Sequence, residues 1–202
     1  MFSKSAGTLL TVMTVCVAVL TSNSIIRAAY ESAQYEVERQ DGDIEIRKYP
    51  ELVVVQTESD VNAQGGDGSF MRLFRYISGD NEAGQKIAMT TPVFMSPTGS
   101  DERPREGTMQ FVMPANVARS GAPDPNHDAV VVQTRPAGKF AVIRFSGRMD
   151  ETLAKTKASE LRQWIQANGL RAEDGMETAG YDAPMTPPAM RRNEVLIRLR
   201  SE

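Results

Sequence analysis

Two stretches of this chain follow the same order of elements, and that repetition narrows the folds open to it. In the first, a strand at residues 44–48 leads to a β-branched run at 52–57, a Gly-rich polar loop at 62–69, an amphipathic helix, and further strands at 87–95 and 109–113. In the second, strands at 129–134 and 140–145 lead to a helix at 151–168 and a last strand at 195–200. Val53-Val54-Val55 before the first helix corresponds in position to Ala141-Val142-Ile143 before the second. Residue identity between the stretches is low, so the duplication is one of order. Two such halves can pair their sheets about a pseudo-twofold axis with a helix on each half, which places the chain in the α+β class.

Local signals support these elements. Residues 35–39 and 44–48 flank Gln40-Asp41-Gly42-Asp43, an Asp-Gly hairpin signal. Ile44, Ile46 and Lys48 fall on one face of the second strand, Glu45 and Arg47 on the other, and Pro50 breaks it. Asp67 or Ser69 is positioned to cap a helix running to Ser78, with Gly79 as its stop. Phe70, Leu73, Phe74 and Ile77 form its apolar stripe, and Arg72, Arg75 and Ser78 lie away from it. Asp150 caps the second helix and Gly169 ends it. Its apolar face is Ala154, Ala158, Leu161, Trp164 and Ile165. Residues 97–107 read as a polar loop and 183–189 as a Pro-rich segment.

The N-terminal segment reads as an export signal. Lys4 precedes an apolar run at 7–20, which has signal-peptide length and is short for a membrane span. We therefore divide the chain into a signal peptide or N-terminal anchor at 1–28 and a domain at 29–202. The expected location is exported, periplasmic or secreted, with anchoring by residues 7–20 as the alternative.

Composition then removes whole classes of chemistry. Cys16 is the only cysteine and lies inside that signal, so the mature chain has no thiolate for zinc, an iron–sulfur cluster or covalent haem attachment. His127 is the only histidine, which excludes a His-His metal site. The net charge of −3 becomes −5 once Lys4 and Arg27 are removed, leaving 21 basic against 26 acidic residues. A mildly acidic chain without a dense basic run is not built for phosphate backbones, so no nucleic-acid partner is expected.

Six short motifs, taken together, resemble the SOUL/haem-binding protein family. They are Lys86-Ile87-Ala88-Met89-Thr90-Thr91-Pro92-Val93, Gly180-Tyr181-Asp182-Ala183-Pro184, Arg191-Arg192-Asn193-Glu194-Val195, Tyr35-Glu36-Val37-Glu38-Arg39, Ile46-Arg47-Lys48-Tyr49-Pro50 and Met109-Gln110-Phe111-Val112-Met113-Pro114. The resemblance spans roughly residues 35–199. It implies a distorted antiparallel β-barrel made of two pseudo-repeats and flanked by two helices. It also implies non-covalent binding of haem or a related tetrapyrrole in a shallow apolar cleft. Carried onto this sequence, the helix side of the cleft is Phe70, Leu73, Phe74, Arg75 and Ile77. The loop side runs from Tyr181 through Met185 to Met190 and Arg191. A porphyrin is a flat apolar plate whose carboxylates want a cation at the rim, and Arg75 occupies a basic position of the family's first helix. The family's loop often carries a lysine where this chain has Thr186, so Arg191 or Arg192 would have to complete the clamp.

No iron ligand can be assigned. The second strand has no histidine, and His127 sits in a turn-forming loop. Met89, Met95, Met109 and Met113 read as adaptable core filling. Tyr49 and Tyr181 remain conceivable ligands. Asp182 reads as a turn former and Thr90-Thr91-Pro92 as a strand end, and Gly65-Gly66-Asp67-Gly68 lacks the Lys-Ser/Thr of a phosphate loop. The expected function is therefore a tetrapyrrole carrier, buffer or scavenger rather than an enzyme. The alternative is an effector- or partner-binding module of the same fold.

Overall fold

The computed structural model describes residues 30–59, 67–96 and 107–200. The expected signal at 1–28 and most of the loops at 62–69 and 97–107 lie outside these residues. The chain divides into two units, Met1–Glu31 and Ser32–Glu202, and the second carries the fold. In chain order its strands are β1 (Glu31–Ser32), β2 (Glu36–Asp41), β3 (Ile44–Tyr49), β4 (Leu52–Glu58), β5 (Thr90–Thr91), β6 (Val93–Ser96), β7 (Thr108–Val112), β8 (Val130–Arg135), β9 (Gly138–Phe145), β10 (Glu177–Gly180) and β11 (Asn193–Arg198). The helices are α1 (Ser69–Ile77), α2 (Ala115–Ser120) and α3 (Glu151–Ala167). A short 3₁₀ turn covers Pro188–Met190.

Nine strands form one antiparallel sheet in the order β2-β3-β9-β11-β10-β6-β7-β4-β8. It curls into a half-barrel whose edges are β2 and β8. From β3 to β8 the order is a palindrome of equivalent strands, and the register obeys the same symmetry. Val54 opposes Val112 as Val142 opposes Leu196. Leu52 opposes Arg135 as Phe140 opposes Arg47. The pseudo-axis runs between β6 and β10, where Phe94 faces Ala179. The duplication legible in the sequence is thus a structural twofold, and Val53–Val55 and Ala141–Ile143 are its matched segments.

Each half covers its outer face with one helix. α3 buries Ala158, Leu161 and Ile165 against Ile44, Ile46, Ile143, Val195 and Ile197. α1 buries Leu73, Tyr76 and Ile77 against Val55, Met109 and Phe111. The concave inner face is a third apolar layer, with Tyr49, Val54, Phe94, Phe140, Val142 and Leu196 at its centre. Each fully buried leucine, isoleucine or phenylalanine in these layers contributes about 1.5–3 kcal/mol.

The caps differ in part from expectation. Asp150 accepts a hydrogen bond from Leu153 N at 2.8 Å, and Gly169 takes a φ of +70°, as foreseen for α3. In α1 the N-cap is Gly68 at a φ of +83°. Asp67 Oδ1 accepts from Ser69 N at 3.0 Å, while the buried Ser69 hydroxyl turns inward to Ser59 at 3.1 Å. Strand β3 also departs from the two-faced pattern. Arg47 is as buried as the isoleucines, because its face looks into the concavity rather than into water.

Candidate functional site

The first candidate surface is the outer side of α1. Its short length leaves the strip opposite the core uncovered. Phe74 is 42% exposed and Met71 47% exposed. The Phe70 and Phe74 rings stack with centroids 6.0 Å apart and planes 13° apart. Phe70 in turn packs edge-on to Phe111 at 5.3 Å. Across the sheet, Phe111 opposes Val93, and Val93 opposes Gly180. A Cβ placed on Gly180 would meet nothing within 4 Å, so bare backbone faces open space there. The chain then enters the segment 181–190.

The residues expected from the sequence divide by depth. Phe74 and Arg75 face solvent, and Met185 at the loop tip is 91% exposed. Phe70, Met190 and Arg191 are half-buried. Leu73, Ile77 and Tyr181 belong to the packed interior rather than to an open face. Leu73 and Ile77 are the residues of the stripe that point straight into the sheet. Tyr181 turns inward because its hydroxyl donates to Glu194 Oε2 at 2.9 Å. Arg191 spends its fork on its own loop, donating from Nε to Thr186 O at 2.8 Å and from Nη2 to Pro184 O. It orders the loop. The loop is tied further by Gly147 N to Pro188 O at 2.9 Å and Arg192 N to Asp182 Oδ2 at 2.6 Å. The turn-forming part expected of Asp182 is thereby observed. His127 is an exposed loop residue, as expected, with Nε2 3.0 Å from Asp80 Oδ2. Hydrogen bonds from Asn126 and His127 hold the Asp80 carboxyl below its ordinary pKa.

The second candidate surface was not anticipated. On the inner face Glu194, wholly buried, receives Arg47 Nη1 at 2.7 Å and Nη2 at 3.0 Å. It also receives Arg192 Nε at 3.0 Å and Nη2 at 2.7 Å. Of the two neighbouring arginines Arg192 pairs with Glu194, while Arg191 serves its own loop. Arg47 adds Glu45 through Nε at 2.6 Å and lies over the Tyr35 ring at 4.2 Å. Burial pushes the Glu194 carboxyl upward, yet the two guanidinium groups outweigh it and hold its pKa below the ordinary value. Burial likewise works against the Arg47 charge, and Glu194 and Tyr49 more than offset it. Alternation in residues 44–49 signals two different faces; nothing in the sequence tells that both are covered.

Among the described residues no group of three or more His, Cys, Asp or Glu side chains could hold a metal ion. Among them, also, no helix is long and apolar enough to cross a membrane.

Comparisons with known proteins agree with this architecture. A family model described as SOUL heme-binding protein matches residues 30–198. Heme-binding protein 1 of Bos taurus is 27% identical over 133 residues, covering 65% of this chain and 69% of that one. The Sus scrofa protein of the same name is 27% identical over 128 residues, covering 62% and 67%. A crystal structure of a hydrolase from Listeria innocua superposes with a TM-score of 0.58 at 14% identity, covering 81% and 94%, which is a likeness of fold alone. With its curled antiparallel half-barrel, its flanking helices and a family match over most of its length, the chain belongs to the SOUL haem-binding protein family.

Proposed function

We propose that this protein binds haem or a related tetrapyrrole non-covalently on the α1 face. We read it as a carrier, buffer or scavenger rather than as an enzyme, acting after export or while anchored by its N-terminal segment. The observation that carries the reading is the solvent-facing Phe74, stacked on the half-buried Phe70. Burying a large aromatic against a flat apolar plate removes surface from water on both partners. Arg75, exposed on the same helix, is the cation for a carboxylate at the rim.

Met185 and Met190 would close over the plate from the loop, and Arg191 would hold that loop in shape. Leu73 and Ile77 would support the helix from below rather than touch the ligand. Haem, when bound, supplies a redox-active iron. The residues named here contribute apolar walls and one cation, and the reading requires no imidazole. The family membership and the curated relatives named for haem binding support it.

The test is a hemin titration of the purified mature protein, followed at the Soret band. A saturable one-to-one shift that Phe74→Asp or Arg75→Glu weakens at least about tenfold, with folding retained, supports the reading. Absence of a shift, together with thermal stabilisation by other planar amphiphiles, would move the protein to the effector-binding alternative. Turnover of ester substrates that survives repurification would make it an enzyme.

A further inference from the structure

The two edges of the sheet are not equivalent. The pseudo-twofold matches β8 with β3, yet β3 has β2 along its outer edge, and among the described residues β8 has only β4 beside it. The edge that β2 presents is guarded. All six of its residues are exposed, and Glu36, Glu38, Arg39 and Asp41 carry charge. Its register on β3 also shifts between Val37 and Arg39, a bulge that spoils the strand as a template for another.

Strand β8 carries none of these guards. Ala129 to Thr134 is a run without charge, glycine or proline, and Val130, Val131 and Val132 follow one another in it. Its register on β4 is unbroken from Thr57 opposite Val130 to Leu52 opposite Arg135. On the outer face Val130 is buried and Val132 half-buried in the cluster that includes Leu73 of α1. On the inner face Val131 is 46% exposed, and Gln133 is exposed too. Alternate residues of an edge strand point N–H and C=O away from the sheet. This edge is therefore a straight, uncharged, valine-rich row of open hydrogen-bonding groups. It meets the same row on every other copy of the chain, with no like charge inside the run to keep two of them apart.

We propose that β8 pairs antiparallel with β8 of a second copy of this chain, joining the two sheets about a twofold axis perpendicular to them. Such an axis sets inner face beside inner face, so odd-numbered residues oppose odd and even oppose even. Centred on Val132, it pairs Val131 with Gln133 of the second copy on the inner face. On the outer face it pairs Val132 with its own equivalent and Val130 with Thr134. Pro136, which has no N–H to give, then falls beyond the paired strand, opposite Asp128. Centring on Gln133 would set Pro136 opposite Val130. The exposed Val131 is covered in both copies. The pairing uses no residue assigned to the tetrapyrrole surface, so each reading can fail without the other.

The test uses the full chain in sedimentation velocity over a concentration series. Amide hydrogen exchange locates the contact and separates it from any association through the apolar run at 7–20. The expected result is a monomer–dimer equilibrium in which protection rises with concentration over residues 130–134 and not over 36–41. Val131→Lys, at an exposed position, should weaken the dimer at least about tenfold while the monomer keeps its fold, and Gln133→Lys should do the same. Combining Val131→Lys with Gln133→Glu should restore pairing, since each new ammonium then faces a new carboxylate of the other copy. A dimer indifferent to both lysine variants, concentration-dependent protection on another element, or a charge-paired double variant no tighter than Val131→Lys would overturn the proposal. A chain that stays monomeric up to about 1 mM would overturn it as well and leave the edge to a foreign strand.

Discussion

Arg47 and Glu194, 147 residues apart in sequence, meet inside the half-barrel through two hydrogen bonds of 2.7 and 3.0 Å. They join β3 to β11 across β9, on the face opposite the one that α1 and α3 cover. Replacing one partner leaves the other buried and uncompensated. Glu194→Gln should therefore cost about 3–5 kcal/mol, because Arg47 and Arg192 lose the carboxylate they share and only Arg47 keeps a second one, Glu45. The double variant Arg47→Met with Glu194→Leu should lose clearly less than the sum of the single changes. Denaturant midpoints of the four proteins measure the coupling.

Acid should act through the same pair. The Glu194 carboxyl titrates below its ordinary range in the folded protein, so its contribution is complete above the unfolded value of about 4.3. That contribution is lost as pH falls through the lower folded value. Thermal midpoints taken from pH 7 to pH 3 should fall steeply at the acid end. The slope should flatten in Glu194→Gln, whose side chain does not titrate.

Base should act through the buried phenols. Burial pushes Tyr49 and Tyr76 up to about 12 each, and it raises Tyr181 as well, with the Glu194 charge adding to the effect. A raised folded value means a contribution that is whole below about 10 and is lost as pH climbs through the folded value. Alkaline titration followed by ultraviolet absorbance should show phenolate forming late, in step with loss of structure. Tyr76→Phe, which removes the hydroxyl bonded to Pro123 O at 2.7 Å, should remove part of that delayed signal.

Within α1, two neighbouring apolar residues should behave oppositely. Leu73 is fully buried against the sheet, so Leu73→Ala should cost about 2–5 kcal/mol through lost burial and a cavity. Phe74 is 42% exposed and stacks only on Phe70, so Phe74→Ser should cost clearly less, about 1 kcal/mol. A urea titration of both variants separates the supporting role of Leu73 from the surface role assigned to Phe74.

The elements that could be read from the sequence are those with a local cause. The Asp150 cap, the Gly79 and Gly169 stops and the 3.6-residue stripe of α1 each lie within one segment. The duplication was legible as order, because matched runs such as Val53–Val55 and Ala141–Ile143 precede matched helices. The site was legible only as a stripe. Periodicity marks Phe70, Leu73, Phe74 and Ile77 alike, and only packing separates the buried Leu73 and Ile77 from the exposed Phe74. The inner polar network was illegible for a different reason. Arg47, Glu194 and Tyr181 look like ordinary residues of half-exposed strands or turns, and the curl of the sheet converts their face into an interior.

Binding of a paramagnetic tetrapyrrole tests the central claim most directly, because it reports position as well as affinity. Nitrogen-15 labelled protein titrated with hemin should lose amide signals first around Phe70–Ser78 and in the segment 181–190, at one equivalent. The α3 surface, including Trp164 and Asn168, should stay sharp. Broadening centred on α3, or no saturable broadening at one equivalent, would contradict the account.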